Sequence, residues 1–388
     1  MAAVRPLRLP QSRLAPEEPS GLDPLVLAPT LALVGLGIAM VFSASIPMAA
    51  VDASEDVFYY LKRELVFAAV GLLAMYGTIR LPMVKLERAA GWLLGTAATL
   101  LVLVLLVGVE VNGARSWLPI PGTSLRFQPS ELAKLALVVA TARYFAKFPG
   151  GIADWRRTLV PFLTLGGAAG LIAIEPDMGT AAVLVAALFI YYHIAGLRFR
   201  HLCAAATVGL VAAVILILQH PYQIGRLVGF LRRTELPDRE GYQVTQGLIA
   251  LGSGGLTGRG YFGSSWKYFY LPAAITDSIL AVIGEELGLI ATWAVVALFA
   301  LLVWRGIKIA GRAADRFSGL VAAGVTCLLG VQALLNLAVV THTVPSTGVP
   351  LPFVSYGGSS LVFSLIGVGL LLNVSRQQYR SDQAAGPI

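Results

Sequence analysis

Apolar runs of about 20 residues recur along the whole chain, separated by short polar segments, and each is long enough to carry a helix across roughly 30 Å of hydrocarbon. Ten runs are predicted as membrane-spanning helices, at about 24–47, 65–81, 89–109, 131–147, 158–175, 177–196, 201–219, 277–304, 317–341 and 358–375. The expected fold class is an all-α polytopic membrane protein. Residues 220–276, between runs seven and eight, form the one long segment that does not span. Its first half is charged, and its second half, Gly241–Gly263, is glycine-rich and mildly apolar. Tyr242–Leu251 is expected to form a short helix at the membrane interface, and the glycines beyond it suit turns and close packing. Polar tails at 1–23 and 377–388 flank the 24–376 membrane domain. The first apolar run is too long for a cleaved leader and is taken as a retained signal anchor.

Charge gives these runs a direction. Alternate segments carry Arg5, Arg8, Arg13; Arg80, Lys85, Arg88; Arg143, Lys147, Arg156, Arg157; Arg198, Arg200; Arg305, Lys308, Arg312, Arg316; and Arg376, Arg380. Each of these carries at least two, whereas the intervening short segments carry Lys62 and Arg63, Arg115 and Arg126, and in two cases none; a long segment such as 220–276 counts little in this comparison. Both termini are therefore expected in the cytoplasm (N-in, C-in), and 220–276 outside it.

Composition agrees: 57% of the residues are hydrophobic and 13% charged, against about 25% charged in soluble domains. The net charge of +8 sits in short loops between apolar runs, so it orients the chain in the membrane. No nucleic-acid partner is expected; the environment is membrane lipid. The two cysteines and four histidines are scattered, without metal or haem spacing.

Ionisable groups near membrane spans are costly, about 2.5–3.5 kcal/mol at mid-bilayer on insertion scales, and so are functional candidates. Four outer segments bring polar groups to one face: Arg115 with Arg126, Gln128, Glu131 and Lys134; Glu175 and Asp177; Asp277; and the 347–360 stretch. Glu131 and Lys134 share a helix face, either as a local ion pair or as a lysine presented to phosphate. Asp277 is expected to open span eight at its outer edge, with Glu285 and Glu286 deeper on other faces of the same helix.

At these residues the chain resembles the SEDS family, the RodA/FtsW/SpoVE-type peptidoglycan glycosyltransferases. The resemblance rests on Arg115-Ser-Trp-Leu with Phe127-Gln-Pro-Ser-Glu-Leu-Ala-Lys134, Pro176-Asp-Met-Gly-Thr180, Gly241-Tyr-Gln-Val with Ala250–Gly255, Thr276-Asp277 with Ala281–Gly288, and Gly348–Ser360. These five motifs occur in family order over about residues 30–376.

The resemblance implies polymerisation of lipid II, a disaccharide-pentapeptide on undecaprenyl pyrophosphate, at the outer face of the bacterial inner membrane, with a class B penicillin-binding transpeptidase as partner. It implies Asp277 as catalytic base. Lys134, Arg115, Arg126, Glu131, Gln128, Asp177, Ser355 and Tyr356 are the residues expected to bind substrate or its pyrophosphate. A Mg²⁺ or Mn²⁺ ion could accompany the pyrophosphate, although no dedicated cage is visible.

Three positions depart from the family pattern: Ala273 and Ile275 stand where glutamate and histidine are common, and Glu175 where glutamine is. Phe58–Arg63, Ser43–Ser45 and Leu371–Arg376 look more like the division and sporulation branch than the elongation branch. Two other functions suit a helical bundle with a polar outer face: translocation of lipid II, and non-catalytic activation of a transpeptidase. The polar groups gather on the outer side rather than along a path through the membrane, which favours chemistry there.

Overall fold

The computed structural model describes residues 22–49, 56–111, 114–123, 125–149, 152, 154–219, 221–231, 242–268 and 270–384. The tail before residue 22, with Arg5, Arg8 and Arg13, lies outside the described residues, as does the charged stretch 232–241.

The described chain forms twelve helices: α1 (Pro24–Ala49), α2 (Tyr59–Arg80), α3 (Met83–Val107), α4 (Pro129–Ala146), α5 (Trp155–Ile174), α6 (Met178–Ile194), α7 (Phe199–Gln219), α8 (Pro221–Leu231), α9 (Tyr242–Ser253), α10 (Ile279–Gly311), α11 (Arg316–Val340) and α12 (Gly358–Ala384). Each of the ten expected spans has a helix at its place. Seven helices, α1, α3, α5, α7, α10, α11 and the Gly358–Gln377 part of α12, are long and apolar enough to cross a membrane. The 17-residue α6 is apolar but shorter, while α2 and α4 carry ionisable residues.

The all-α expectation holds for the frame, with one small local addition. Residues 109–127 form a small antiparallel sheet in the order β1 (Val109–Val111), β2 (Ala114–Pro119), β3 (Arg126–Phe127). Charged residues, prolines and glycines dilute the alternating pattern there, so it does not read as strand. The 220–276 segment is also more helical than expected. It holds α8 as well as α9, and α9 matches the short helix predicted from Tyr242.

Helices α4 and α11 form the centre, with α6, α10 and α12 packed against them. Helix α2 lies along α12, closely enough that a Cβ at Gly369 would collide with Thr78; small residues allow such backbone approach inside a membrane. Helix α7 is peripheral, with only His201 and Leu202 buried among its described residues.

Helix α10 is interrupted at Gly288, which adopts φ 78° and ψ −175°. An interruption leaves backbone groups open, and at membrane depth these need partners within the protein. The glycine-rich 254–260 segment supplies them. The amides of Arg259 and Gly260 donate to the carbonyls of Glu285 and Glu286 (3.0 and 2.9 Å), and those of Leu289 and Ile290 donate to Gly255 and Leu256 (3.0 and 3.2 Å). A Cβ at Gly288 would collide with the backbone of Gly258 and Leu256. Close packing is thus the work of these glycines, as their spacing suggested.

The carboxylates of Glu285 and Glu286 are fully buried and serve the same junction. Glu285 accepts from Arg259 (3.2 Å), the Ser264 hydroxyl and the Ser265 amide (2.8 Å). Glu286 accepts from Ser43 (2.7 Å), Lys267 (2.8 Å) and the Phe262 amide (3.1 Å). Helix α1, the loop and the head of α10 are locked together through these groups.

Candidate active site

Asp277 lies in the turns between α9 and α10, just before Ser278, the N-cap of α10. It therefore does not open the helix, contrary to expectation, because the amides of Thr276 and Ser278 turn back to the carbonyl of Ala273 (3.0 and 3.2 Å). Ala273 takes the left-handed φ of 54° that this turn needs.

The Asp277 side chain is buried, at 5% exposure. Its Oδ2 accepts from the Gln243 amide of α9 (3.2 Å) and its Oδ1 from the Thr276 hydroxyl (3.2 Å). Burial pushes the carboxyl above the usual aspartate range; its own amide, Gln243, Thr276 and the charge of Arg226 pull it partly back. A small cleft adjoins this turn, lined by Gln243, Gly247, Ser278, Ala281, Val339 and Ser346.

The backbone around Asp277 is held from behind. The side-chain amide of Asn336, on α11, donates to the carbonyls of Asp277 and Val349 (2.9 Å each). Ser355 donates to the Thr276 carbonyl and accepts from the Leu351 amide (2.8 Å). The Tyr356 amide donates to the Ile275 carbonyl (2.8 Å). Ser355 and Tyr356 thus hold the backbone of the Asp277 turn. Asn336→Leu removes two of these restraints without touching the carboxylate. It should lower kcat about 10- to 100-fold, the cost of a reacting group displaced by an ångström or less, and change KM little. Unaltered kcat in steady-state polymerisation would remove Asn336 from this role.

The other expected residues form two further groups. Gln128 donates to Asp177 Oδ2 (3.0 Å), and its own amide donates to Ser359 (3.0 Å). Asp177 Oδ1 caps α6 by accepting from the Thr180 amide (3.0 Å). Lys134 is buried and donates to Glu131 (2.9 Å) and Gln332 (2.8 Å), while Gln332 in turn donates to the Pro350 carbonyl (3.1 Å). Of the two readings open for Glu131 and Lys134, the structure contains the local ion pair.

Arg115 donates to the carbonyls of Gly108 (2.8 Å) and Leu105 (3.4 Å), meeting the free carbonyls at the end of α3. Arg126 is exposed on β3, paired in the ladder with Pro119. Among the described residues, neither arginine nor Lys134 bonds to the Asp277 turn.

Glu175 follows α5 and is fully buried, and neither carboxyl oxygen has a partner among the described residues. Burial, and next the charge of Asp177, push its pKa up to about 8. The native state therefore holds a proton that the unfolded chain releases near the ordinary glutamate pKa. Between about pH 4.5 and 8 the folded state binds more protons, so this group makes stability fall as pH rises. Glu175→Gln removes this titration, so it should raise Tm at pH 8, where folding of the wild type is opposed by the ionised carboxyl of the unfolded chain. Below pH 4 it should change nothing. A Tm gain equal at both pH values would contradict this.

Sequence reasoning passed over Gln243, Gln332, Asn336 and Arg226. Gln243 lies inside the Gly241-Tyr-Gln-Val motif. Gln332 and Asn336 are four apart on one face of an apolar span, a signal available from polar as well as ionisable residues.

A profile of the family described as cell cycle protein, FtsW/RodA/SpoVE, matches residues 24–380. Stage V sporulation protein E of Bacillus subtilis is 40% identical over 357 residues, 91% of this chain and 97% of its own length. A probable peptidoglycan glycosyltransferase FtsW of Trichlorobacter lovleyi is 40% identical over 356 residues, 91% and 93% of the two chains. Among solved structures, the rod shape determining protein RodA of Thermus thermophilus aligns with a TM-score of 0.68 and 31% identity over 92% of this chain and 98% of its own. A chain from a peptidoglycan synthase complex, studied for its coordination of polymerization and crosslinking, aligns with a TM-score of 0.73 and 30% identity over 92% and 99%.

Proposed function

Since the chain belongs to the FtsW/RodA/SpoVE family of cell cycle proteins, the SEDS proteins, we propose that it is a multi-pass inner-membrane peptidoglycan glycosyltransferase. In this reading it polymerises lipid II at the outer face of the membrane, for cell division or cell shape, with a class B penicillin-binding transpeptidase as partner. The supporting observation is Asp277: a buried carboxylate, oriented by Gln243 and Thr276, beside a cleft and fixed from behind by α11 and the 348–356 loop.

The chemistry follows from that placement. The acceptor 4-hydroxyl attacks the anomeric carbon of the donor, the bond to pyrophosphate breaks, and Asp277 takes the hydroxyl proton. A general base must stand within hydrogen-bond reach of that proton, and a carboxylate raised by burial accepts it more readily than an exposed one. Ser355 and Tyr356 set the turn that carries Asp277. Lys134 acts through Gln332 and Pro350 on the same loop, with Glu131 holding its charge. Gln128 and Asp177 join α4 to the outer end of α6, and Arg115 and Arg126 form the outer rim. A Mg²⁺ or Mn²⁺ ion is assigned to the substrate pyrophosphate. Among the described residues no group of three His, Cys, Asp or Glu side chains converges as a cage, and Mg²⁺ characteristically binds through one or two carboxylates plus substrate phosphates.

The test is polymerisation of lipid II in detergent by the purified chain with its transpeptidase. Glycan ladders that persist when the transpeptidase is blocked support the reading. No ladders from a folded, partner-bound preparation would leave the chain as an activator or a translocator.

A further inference from the structure

Helix α11 runs from Arg316, bonded to the carbonyls of Phe148 and Pro149, to Asn336, bonded to that of Asp277. Twenty helical residues span roughly 30 Å, so the Phe148 end lies across the membrane from the candidate active site. Three helix ends carry positive charge to one flank there. The start of α3 brings Lys85 and Arg88, the end of α4 brings Arg143 and Lys147, and the start of α5 brings Arg156 and Arg157. Contacts between the three ends hold them together. Arg143 Nη1 donates to the Arg88 carbonyl (3.4 Å), and the Tyr144 hydroxyl donates to the Arg157 carbonyl (2.7 Å). The Arg157 guanidinium lies over the Phe148 ring, 5.0 Å from its centroid.

Among the described residues none of these six cations forms an ion pair. Two acids share the same segments, Glu87 and Asp154, and Asp154 is turned to the start of α5, where it accepts from the Arg156 amide (3.1 Å). Other cations at this end are engaged by the protein. Arg305 pairs with Asp23 (2.6 Å), Arg316 donates to the carbonyls of Pro149 and Phe148 (2.7 and 3.1 Å), and Lys308 lies over the Trp304 ring (3.6 Å). Orientation in the membrane asks only for an excess of Lys and Arg in these loops. It does not account for three helices gathering six cations without counter-charges on one flank. Groups of one sign held this close repel one another and concentrate counter-ions.

The surface next to the cations is apolar. Trp92 lies one turn beyond Arg88 on the same face of α3 and is 83% exposed, and Leu163, further along α5, is 70% exposed. Cations above an exposed apolar flank match the two halves of a phospholipid. We propose that the ends of α3, α4 and α5 form a binding site for an anionic phospholipid of the inner leaflet. The three arginines Arg88, Arg143 and Arg157 take the phosphodiester, for which the planar guanidinium is suited, and the acyl chains lie along Trp92 and Leu163. Basic sites between membrane helices on the cytoplasmic side bind headgroups of this kind. A free phosphate would use the cations and leave the flank unused. The choice of leaflet follows from the N-in orientation, and the site is independent of the glycosyltransferase reading.

The experiment is native mass spectrometry of the purified full chain in a neutral detergent, titrated with dioleoylphosphatidylglycerol. Dioleoylphosphatidylcholine is the zwitterionic control, and glycerol phosphate supplies the headgroup without chains. The site variant combines Lys85→Gln, Lys147→Gln and Arg156→Gln, three exposed side chains that make no bond among the described residues, so the fold should survive. If it fails to purify, the double variant Lys85→Gln with Lys147→Gln takes its place. A control variant, Lys308→Gln with Arg312→Gln and Arg376→Gln, removes the same charge from α10 and α12. Wild type should prefer phosphatidylglycerol to phosphatidylcholine. The site variant should bind phosphatidylglycerol roughly 10- to 100-fold more weakly, the range expected for three basic residues beside an anionic headgroup. The control variant should bind it as wild type does. Wild-type affinity in the site variant overturns the proposal. Equal losses in the two variants also overturn it, by reducing the attraction to the diffuse charge of this end. Glycerol phosphate binding as tightly as the lipid overturns the lipid assignment in favour of a soluble anion.

Discussion

Asp277→Ala should abolish glycan ladders from lipid II, lowering turnover by about 10²- to 10⁴-fold, the range lost with a general base. The variant should still purify as a folded complex with its partner, because Asn336 and Ser355 hold the backbone carbonyls of Asp277 and Thr276 rather than the carboxylate. Asp277→Asn is the sharper comparison. It keeps the size of the side chain and removes only the proton acceptor, so it should be nearly as inactive. In wild type, activity should fall as pH falls through the pKa of Asp277, because only the deprotonated carboxylate can accept the hydroxyl proton. Burial raises that pKa, which moves the acid limb above the ordinary aspartate range. Ladders of wild-type length and rate from Asp277→Asn would remove Asp277 from the chemistry.

The second large effect is on stability. Lys267 is 2% exposed and donates to Glu286 (2.8 Å), Ser43 (3.0 Å) and the Phe262 carbonyl (3.1 Å). Lys267→Met leaves a fully buried carboxylate without its cation. Breaking one side of a buried pair costs about 3–5 kcal/mol, whereas replacing both partners by apolar groups is often neutral or better. Lys267→Met should therefore lower Tm sharply and reduce the monodisperse yield. The double variant Lys267→Met with Glu286→Leu should recover most of the loss, less the bonds from Ser43 and the Phe262 amide. A thermal-shift comparison in one detergent checks this, and an unchanged Tm in the single variant would contradict it.

The helical frame was legible because long apolar runs have few alternatives in a membrane chain. What escaped was local. The break at Gly288 lies in a run whose only local sign of it is the Glu285–Glu286 pair, and the partner segment 254–260 completes the hydrogen bonds that the break leaves open. Helix α8 lies within a charged stretch, which reads as solvated loop. At the site, Asp277 was identifiable through its motif, but its surroundings were not. Gln243, Asn336 and Arg226 reach it from 34, 59 and 51 positions away, the first two through hydrogen bonds and the third through its charge. The motif cations are near it in pattern yet bonded elsewhere, because burial of Lys134 and the open end of α3 claim them first.

The bonds across the Gly288 break also bear on how the protein breathes. A glycine-rich loop on a surface exchanges its amide hydrogens quickly, through openings that cost almost nothing. Here the amides of Arg259 and Gly260 belong to the loop and those of Leu289 and Ile290 to the helix, yet each is bonded across the junction. None can open alone. All four should exchange together, at the slow rate set by the detachment of α10 itself.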